Sequence, residues 1–338
     1  MARYLVTGGA GYVGSHTVLA LRERGDDVVV VDNLRQGHRR AVPRGVELIV
    51  EDVGDRRRMD EVFASWRFDG VLHFAALSIV GESMREPTRY ITQNLGNTLC
   101  VADAAVKAGC HRFVLSSTAA LFGCPQHLPI DETAALSPVS PYGESKLMAE
   151  RGLEWMDQAH GLRSAALRYF NAAGADPGGR LGEDHDPETH LIPLAIDAAL
   201  GLRPELVVYG QDYDTPDGTC VRDYVHVSDL AAAHLCVLDA LDRIGSCRYN
   251  VGNGTGHSVR EVIAAVERVS GHRVPHRYGE RRPGDPAALV ASSQRLREET
   301  GWAPRHAALD EIVRTAWNWR SQHPAGYNEL SVTRALAS

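Results

Sequence analysis

The chain has 338 residues, with 36 Lys and Arg against 43 Asp and Glu for a net charge of −7. With its basic residues scattered, it is not expected to bind nucleic acid by neutralising phosphates. No apolar run is long enough to span a membrane, and the six cysteines (100, 110, 124, 220, 236, 247) include no Cys-x-x-Cys pair. They read as reduced thiols of a cytoplasmic protein without structural zinc. The length exceeds the usual single core and suggests two associated subdomains, or one α/β domain with an appended lobe.

In chain order, ARYLVTG, DDVVVVD, VELIV, DGVLHFAA and HRFVLSS are short aliphatic or β-branched runs, as strands buried on both faces require. Between them lie amphipathic segments, including Gly14 to Arg24 and Thr88 to Lys107, with Gly25 and Gly109 as helix stops. Arg56-Arg57-Arg58 reads as a solvated helix start. The β-α-β repetition predicts a Rossmann-like, doubly wound parallel sheet with a ligand crevice at the carboxyl ends of its strands. After Asn171 the regularity weakens. Residues 174–188 read as a Gly/Pro/Asp-rich loop, and a helix is predicted from Leu191 to Ala199. We therefore expect an NAD-binding domain over 1–172, with segments of about 220–255 returning to it. Residues 173–338 are expected to form mainly a smaller, substrate-binding C-terminal lobe.

The loop after the first strand is Thr7-Gly8-Gly9-Ala10-Gly11-Tyr12-Val13-Gly14. Its glycines at 8, 11 and 14 permit a sharp turn, close approach of backbone N–H groups to a pyrophosphate, and tight helix-strand packing. The second strand ends in Asp32-Asn33, which places a carboxylate where it can accept hydrogen bonds from an adenosine ribose, favouring NAD over NADP. Ser116, Ser117 and Thr118 end a fifth strand, and Tyr142 and Lys146 lie one helical turn apart on the next helix. Lys146 can hold the nicotinamide ribose and lower a phenol pKa that starts near ~10. Tyr142 is then the general base and acid, with Thr118 orienting the substrate hydroxyl. The Asp184, His185, Asp186, His190 group falls in an irregular loop without ligand spacing, so no metal is expected.

Beyond TGGAGYVGSH and PYGESK, the chain carries VLHFAALSIVGES, ALRYFNAAGAD, GTCVRDYVHVSDLA, YNVGNGTGHSV and RRPGDPAALVA in order. From Tyr4 to Tyr327 it closely resembles the UDP-glucose 4-epimerase branch of the extended short-chain dehydrogenase/reductase family. The resemblance implies NAD held by Gly8, Gly11, Tyr12, Val13, Gly14, Asp32, Asn33, Asp52, Val53, Phe74, Ala75, Asn94, Ser116, Tyr142, Lys146 and Tyr169. It implies a UDP-hexose held by Thr118, Tyr142, Asn171, His190, Leu191, Val208, Arg222, Arg282, Asp285 and Leu289. The two arginines would face the diphosphate, where a planar guanidinium forms paired bonds with phosphate oxygens, and Asp285 the uridine ribose. The implied reaction oxidises carbon 4 of UDP-glucose or UDP-galactose, turns the 4-keto sugar and reduces its other face; a homodimer through two helices per subunit is also implied.

Departures from that pattern are Thr118 for serine, Phe122 for tyrosine, Ser78 for lysine and His190 for asparagine. The alternatives are another NAD-dependent nucleotide-sugar epimerase, a 4,6-dehydratase or a non-catalytic NAD-binding protein. The dehydratase would need an Asp-Glu pair after Thr118, where this chain has Ala119-Ala120. Leu289 either sets the room beside the sugar 2-substituent, which would admit UDP-N-acetylhexosamines, or simply packs in a strand.

Overall fold

Val28 to Val31 are four consecutive buried valines, an arrangement that a strand covered on both faces satisfies. The computed structural model describes residues 1–282 and 284–331. Its strands are β1 (Arg3–Thr7), β2 (Asp27–Asp32), β3 (Glu47–Val50), β4 (Gly70–His73), β5 (Arg112–Thr118), β6 (Arg163–Tyr169) and β7 (Asn171–Ala173), then β8 (Leu206–Tyr209), β9 (Val221–His226), β10 (Cys247–Val251), β11 (Gly256–Ser258), β12 (His276–Gly279) and β13 (Ala288–Leu289). Helices are α1 (Tyr12–Glu23), α2 (Arg56–Ser65), α3 (Val80–Ser83), α4 (Pro87–Lys107) and α5 (Pro141–His160), then α6 (Leu191–Ala199), α7 (Val227–Ile244), α8 (Val259–Ser270), α9 (Gln294–Thr300) and α10 (Leu309–Gln322).

Seven strands form one parallel sheet in the order β10-β6-β5-β4-β1-β2-β3. Met59 and Phe63 of α2, Val101 and Ala105 of α4, and Leu153 of α5 pack on one face. Val18 and Leu21 of α1 and Leu230, Ala233 and Val237 of α7 pack on the other. The sheet is thus doubly wound, and the order reverses between β1 and β4, which opens a crevice at their carboxyl ends.

The chain leaves the sheet after β6. β7, β11 and β13 all pair with β9 in a small second sheet, and β8 pairs with β12. Between these excursions α7 returns to pack beside α1, and β10 adds alongside β6 from Cys247↔Ala165 to Val251↔Tyr169. Ile192, Ile196, Val262, Val266, Ile312 and Val313 make a separate core for the second lobe from α6, α8 and α10. Among the described residues, no helix is long and apolar enough to cross a membrane.

Burial holds several histidines neutral. It lowers His234 to about 4, against a weaker upward pull from the Leu230 carbonyl. It lowers His73 to about 3, helped by the Lys146 charge. A base whose folded pKa is depressed takes up its proton first in the unfolded chain, so stability is present above pH ~6.5 and is lost as pH falls toward the folded value. Each such group contributes a slope of up to roughly 1.4 kcal/mol per pH unit. The Nε2 of His234 is buried without a hydrogen bond. His234→Leu should keep the protein folded at pH 7.5 and flatten its loss of stability between pH 6.5 and about 4, read from urea melts at several pH values.

Candidate active site

The crevice begins at the turn after β1. Gly8 has φ +71°, and a Cβ there would stand 2.5 Å from the Ala75 nitrogen in the loop after β4. A Cβ on Gly14 would stand 2.2 Å from the Gly8 carbonyl oxygen. These two glycines let strand, turn and helix meet. A Cβ on Gly11 meets only the Gly8 oxygen, at 3.4 Å, and no side chain caps the N-terminus of α1. Its N–H groups and partial positive charge are therefore open to an anion such as a pyrophosphate. At the end of β2, buried Asp32 accepts hydrogen bonds from Ala10 N at 2.9 Å and Leu34 N at 2.8 Å. Burial raises its pKa and these two donors oppose the rise. Asn33 donates to Asp52 at 3.1 Å. This cradle fits a dinucleotide.

Not every expected cofactor residue presents a free polar group. The Asn94 amide binds both the N and O of Leu77, at 2.8 and 3.0 Å, and Ser145 Oγ at 2.9 Å, so it fixes the loop after β4 to α5. The Tyr12 phenol donates to the Gly174 carbonyl at 2.6 Å and ties α1 to the second lobe.

β5 and α5 carry Thr118, Tyr142 and Lys146, the residues expected to react. Ser140 caps α5, its Oγ accepting from Gly143 N at 3.1 Å, and Pro141 opens the first turn. That start sets Tyr142, Lys146 and Glu150 on one face at four-residue intervals. Lys146 Nζ donates to the Ser116 carbonyl at 2.8 Å, and Ser116 Oγ shares a 2.6 Å hydrogen bond with the Tyr169 hydroxyl. Glu150 is buried with Arg168 in an ion pair of 2.6 Å and also accepts from Ser117 Oγ at 2.6 Å. Phe122 is buried with the Arg168 guanidinium 5.6 Å from its ring centre.

The pKa pattern departs from the expectation. Burial raises Tyr142, and only Thr118 pulls it down. Lys146 is lowered to about 8 by burial, with the Glu150 charge resisting. The expected activation of the phenol by Lys146 is therefore not a property of the protein groups alone: the ammonium is engaged by the Ser116 carbonyl, and burial dominates at the phenol.

Every residue that the resemblance assigns to cofactor or substrate lines one cavity of about 1080 Å³. At its second-lobe end, Asn171 lies in β7, Leu191 opens α6 and Val208 lies in β8. Arg222 forms an ion pair with Asp285, and the Arg282 guanidinium lies 4.2 Å from the centre of the Tyr209 ring. Leu289 pairs with Arg222 in β13 and lines the cavity, next to Phe122 and Ile130.

The loop before α6 differs most from its reading. Glu183, His185, Glu188 and His190 converge, with ligand atoms all within 4.8 Å of one another. Asp184 turns away to accept from Tyr327 N at 2.9 Å, and Asp186 is outside the group. Burial opposes charge on His185, but Glu183 and Glu188 hold its pKa up to about 9. His190 rises well above its ordinary value against the same opposition, mainly through Glu183. Sequence reasoning missed both glutamates, although the repeated Glu-x-His spacing was there to find. It also missed Tyr209, the platform under Arg282.

A doubly wound sheet with a glycine cradle, an acidic end to β2 and a Thr/Tyr/Lys set defines a dinucleotide-dependent enzyme of the dehydrogenase/reductase type. Residues 4–252 match the NAD dependent epimerase/dehydratase family. The chain is 51% identical to a UDP-glucose 4-epimerase of Azospirillum brasilense, covering 94% of this chain and 91% of the relative. It is 47% identical to one of Lacticaseibacillus casei, covering 96% and 98%. The crystal structure of the UDP-glucose 4-epimerase of Bifidobacterium longum with NAD+ and UDP matches at TM-score 0.91 and 39% identity, covering 96% of this chain and 99% of that one. The chain belongs to the NAD dependent epimerase/dehydratase family.

The glycine geometry separates two roles. Gly8→Ala should cost roughly 2 kcal/mol or more through positive-φ strain and backbone overlap, lowering both melting temperature and bound NAD. Gly11→Ala should melt near the parent yet retain less NAD, measured as nucleotide released on denaturation.

Proposed function

We propose that this chain interconverts UDP-glucose and UDP-galactose by inverting carbon 4 of the sugar, with NAD tightly held. The observation that carries the reading is a single cavity lined at once by the glycine cradle, by Thr118, Tyr142 and Lys146, and by Arg222, Arg282 and Asp285. The identities to UDP-glucose 4-epimerases over nearly the whole chain support it.

NAD, when bound, supplies a cationic ring that takes a hydride from carbon 4 and gives it back. Tyr142 takes the proton of the 4-hydroxyl and later returns it, and Thr118 beside it orients that hydroxyl. Because burial raises the phenol's pKa, nearby positive charge is what allows it to act as a base, and Lys146 is the resident cation on its own helix face. Loss of the two hydrogens leaves a 4-keto sugar nucleotide, which must show its other face before they return. Arg222 and Arg282 hold the diphosphate, with His190 beside them, and Asp285 holds the uridine ribose. The anchored nucleotide keeps the intermediate while the sugar turns. Ala119 and Ala120 line the cavity where a 4,6-dehydratase would need acids, which favours epimerisation over dehydration.

The enzyme acts as a homodimer in this reading. Leu95 and Leu99 of α4 and Met148 of α5 are only partly buried, and Trp155 of α5 is 69% exposed, leaving an apolar face of the kind a second copy covers. Its free cysteines suit the reducing cytoplasm.

Purified protein given UDP-galactose without added NAD should form UDP-glucose; a stoichiometric oxidised or dehydrated product with no epimer would reject the reading. Tyr142→Phe should keep bound NAD and lose turnover by ~10²- to 10⁴-fold, followed by chromatography of the sugar nucleotides. Leu289 leaves more room than a tyrosine would, and such steric differences amount to ~1 to 3 kcal/mol. UDP-N-acetylglucosamine should therefore be a slower second substrate. Leu289→Tyr should lower its kcat/KM selectively, which parallel assays of both sugar pairs will reveal.

A further inference from the structure

Glu183-Asp-His185 and Glu188-Thr-His190 are two Glu-x-His pairs in the segment that leads into α6. The geometry points to a binding site for a divalent first-row transition cation of the zinc class, held by Glu183, His185, Glu188 and His190 on the wall of the cavity. This assignment does not depend on the epimerase reading.

One donor atom from each of the four residues lies within 4.8 Å of the others, near enough for a single ion to gather them. His190 Nδ1 lies 2.9 Å from Glu183 Oε1 and 2.9 Å from Glu188 Oε1. His185 Nδ1 lies 3.3 Å from Glu183 Oε1 and 3.4 Å from Glu188 Oε2. A tetrahedron of ~2.0 to 2.1 Å zinc bonds has edges of roughly 3.3 Å. Both imidazoles turn the same nitrogen inward.

Hydrogen bonding and ion pairing within the group leave one buried acceptor open. Glu183 is 8% exposed, and its Oε1 is buried without a hydrogen bond although two imidazole nitrogens lie within ion-pair distance. Each Nδ1 has one in-plane direction to offer, and that of His190 is taken by Glu188 Oε1. A buried carboxylate oxygen left in this way is costly, and a central cation would satisfy it together with the other three donors. An incoming ion would displace the protons that the two imidazoles otherwise carry, and the two carboxylates and two neutral imidazoles left then have a charge of −2, which a divalent ion cancels. Mixed imidazole and carboxylate donors favour zinc or cobalt over magnesium or calcium.

Backbone contacts support the set from outside. Glu188 Oε1 also accepts from Thr189 N at 2.7 Å and His190 N at 2.8 Å, and the Tyr12 ring packs edge-on against His185. The His190 side chain is 49% exposed, which gives an ion a way in. A bound cation would clamp this segment as a wall of the cavity and place positive charge beside it.

The test uses full-length protein, stripped with chelator, its thiols blocked with iodoacetamide and the reagent removed. Cobalt(II) titration should give visible ligand-field absorption that saturates at one ion per chain and is displaced by zinc. His185→Gln and Glu188→Gln should weaken zinc retention by at least roughly tenfold, by mass spectrometry of metal content after dialysis, with circular dichroism reporting the fold. Absence of saturable cobalt absorption and of bound zinc in the parent overturns the assignment, as does parent-like binding in the folded variants. If a variant does not fold, the thiol-blocked parent decides alone: one equivalent of zinc supports the site and none removes it.

Discussion

The placement of the reactive helix against the sheet depends on one buried ion pair. Glu150 of α5 and Arg168 of β6 are each 2% exposed in their side chains, and Ser117 of β5 donates to the same carboxylate. Desolvating two charges offsets much of their attraction, so such a pair adds little net stability over a well-packed apolar one. Breaking it by removing one partner costs ~3 to 5 kcal/mol. What it contributes is register. Glu150 stands one turn beyond Lys146 and two beyond Tyr142, so a helix that slid along the sheet would leave a charge unpaired before it moved the phenol.

The rest of the cavity is built around that fixed edge. The reversal of strand order between β1 and β4 opens the crevice. The near-contact of the two following loops at Gly8 and Ala75 sets its floor. On the far side, β9 carries Arg222 and pairs with both β7 and β13, so Asn171, Arg222 and Leu289 share one small sheet. The glycine cradle thus faces the second-lobe residues across a single cavity.

Legibility in the sequence followed the range of the interactions. Five of the seven parallel strands were readable because each is a local apolar run such as Val28–Val31, and the cradle because glycine spacing is local; β6 and β10 were not read, since Arg163–Tyr169 and Cys247–Val251 interleave charged and polar residues with the apolar ones. Leu191–Ala199 was readable as a helix from its own pattern. The three-residue strands β7 and β11 and the two-residue β13 were not, since they exist only by pairing with β9. Asn94 shows the same limit: its position on the cavity followed from the family motif, but its bonds to Leu77 and Ser145 join three separate segments. The raised pKa of Tyr142 reflects a competition between burial and charge that no spacing records. Glu183 and Glu188 were hidden because Asp184 and Asp186 offer the same carboxylate chemistry in the same loop, and the backbone path decides which acids turn inward.

The late arrival of β10 bears on how the molecule is made. On a ribosome, β1 to β6 emerge and can pair while the outer edge of β6 still presents unpaired N–H and C=O groups, and that edge is covered only once Cys247–Val251 has been delivered. Nearly eighty residues, from Phe170 to Ser246, are synthesised in that interval. An open, apolar strand edge is a template for pairing with other chains. The half-built chain therefore passes through an aggregation-prone stage whose length is set by the translation of the segment between β6 and β10, and slow codons there would prolong it.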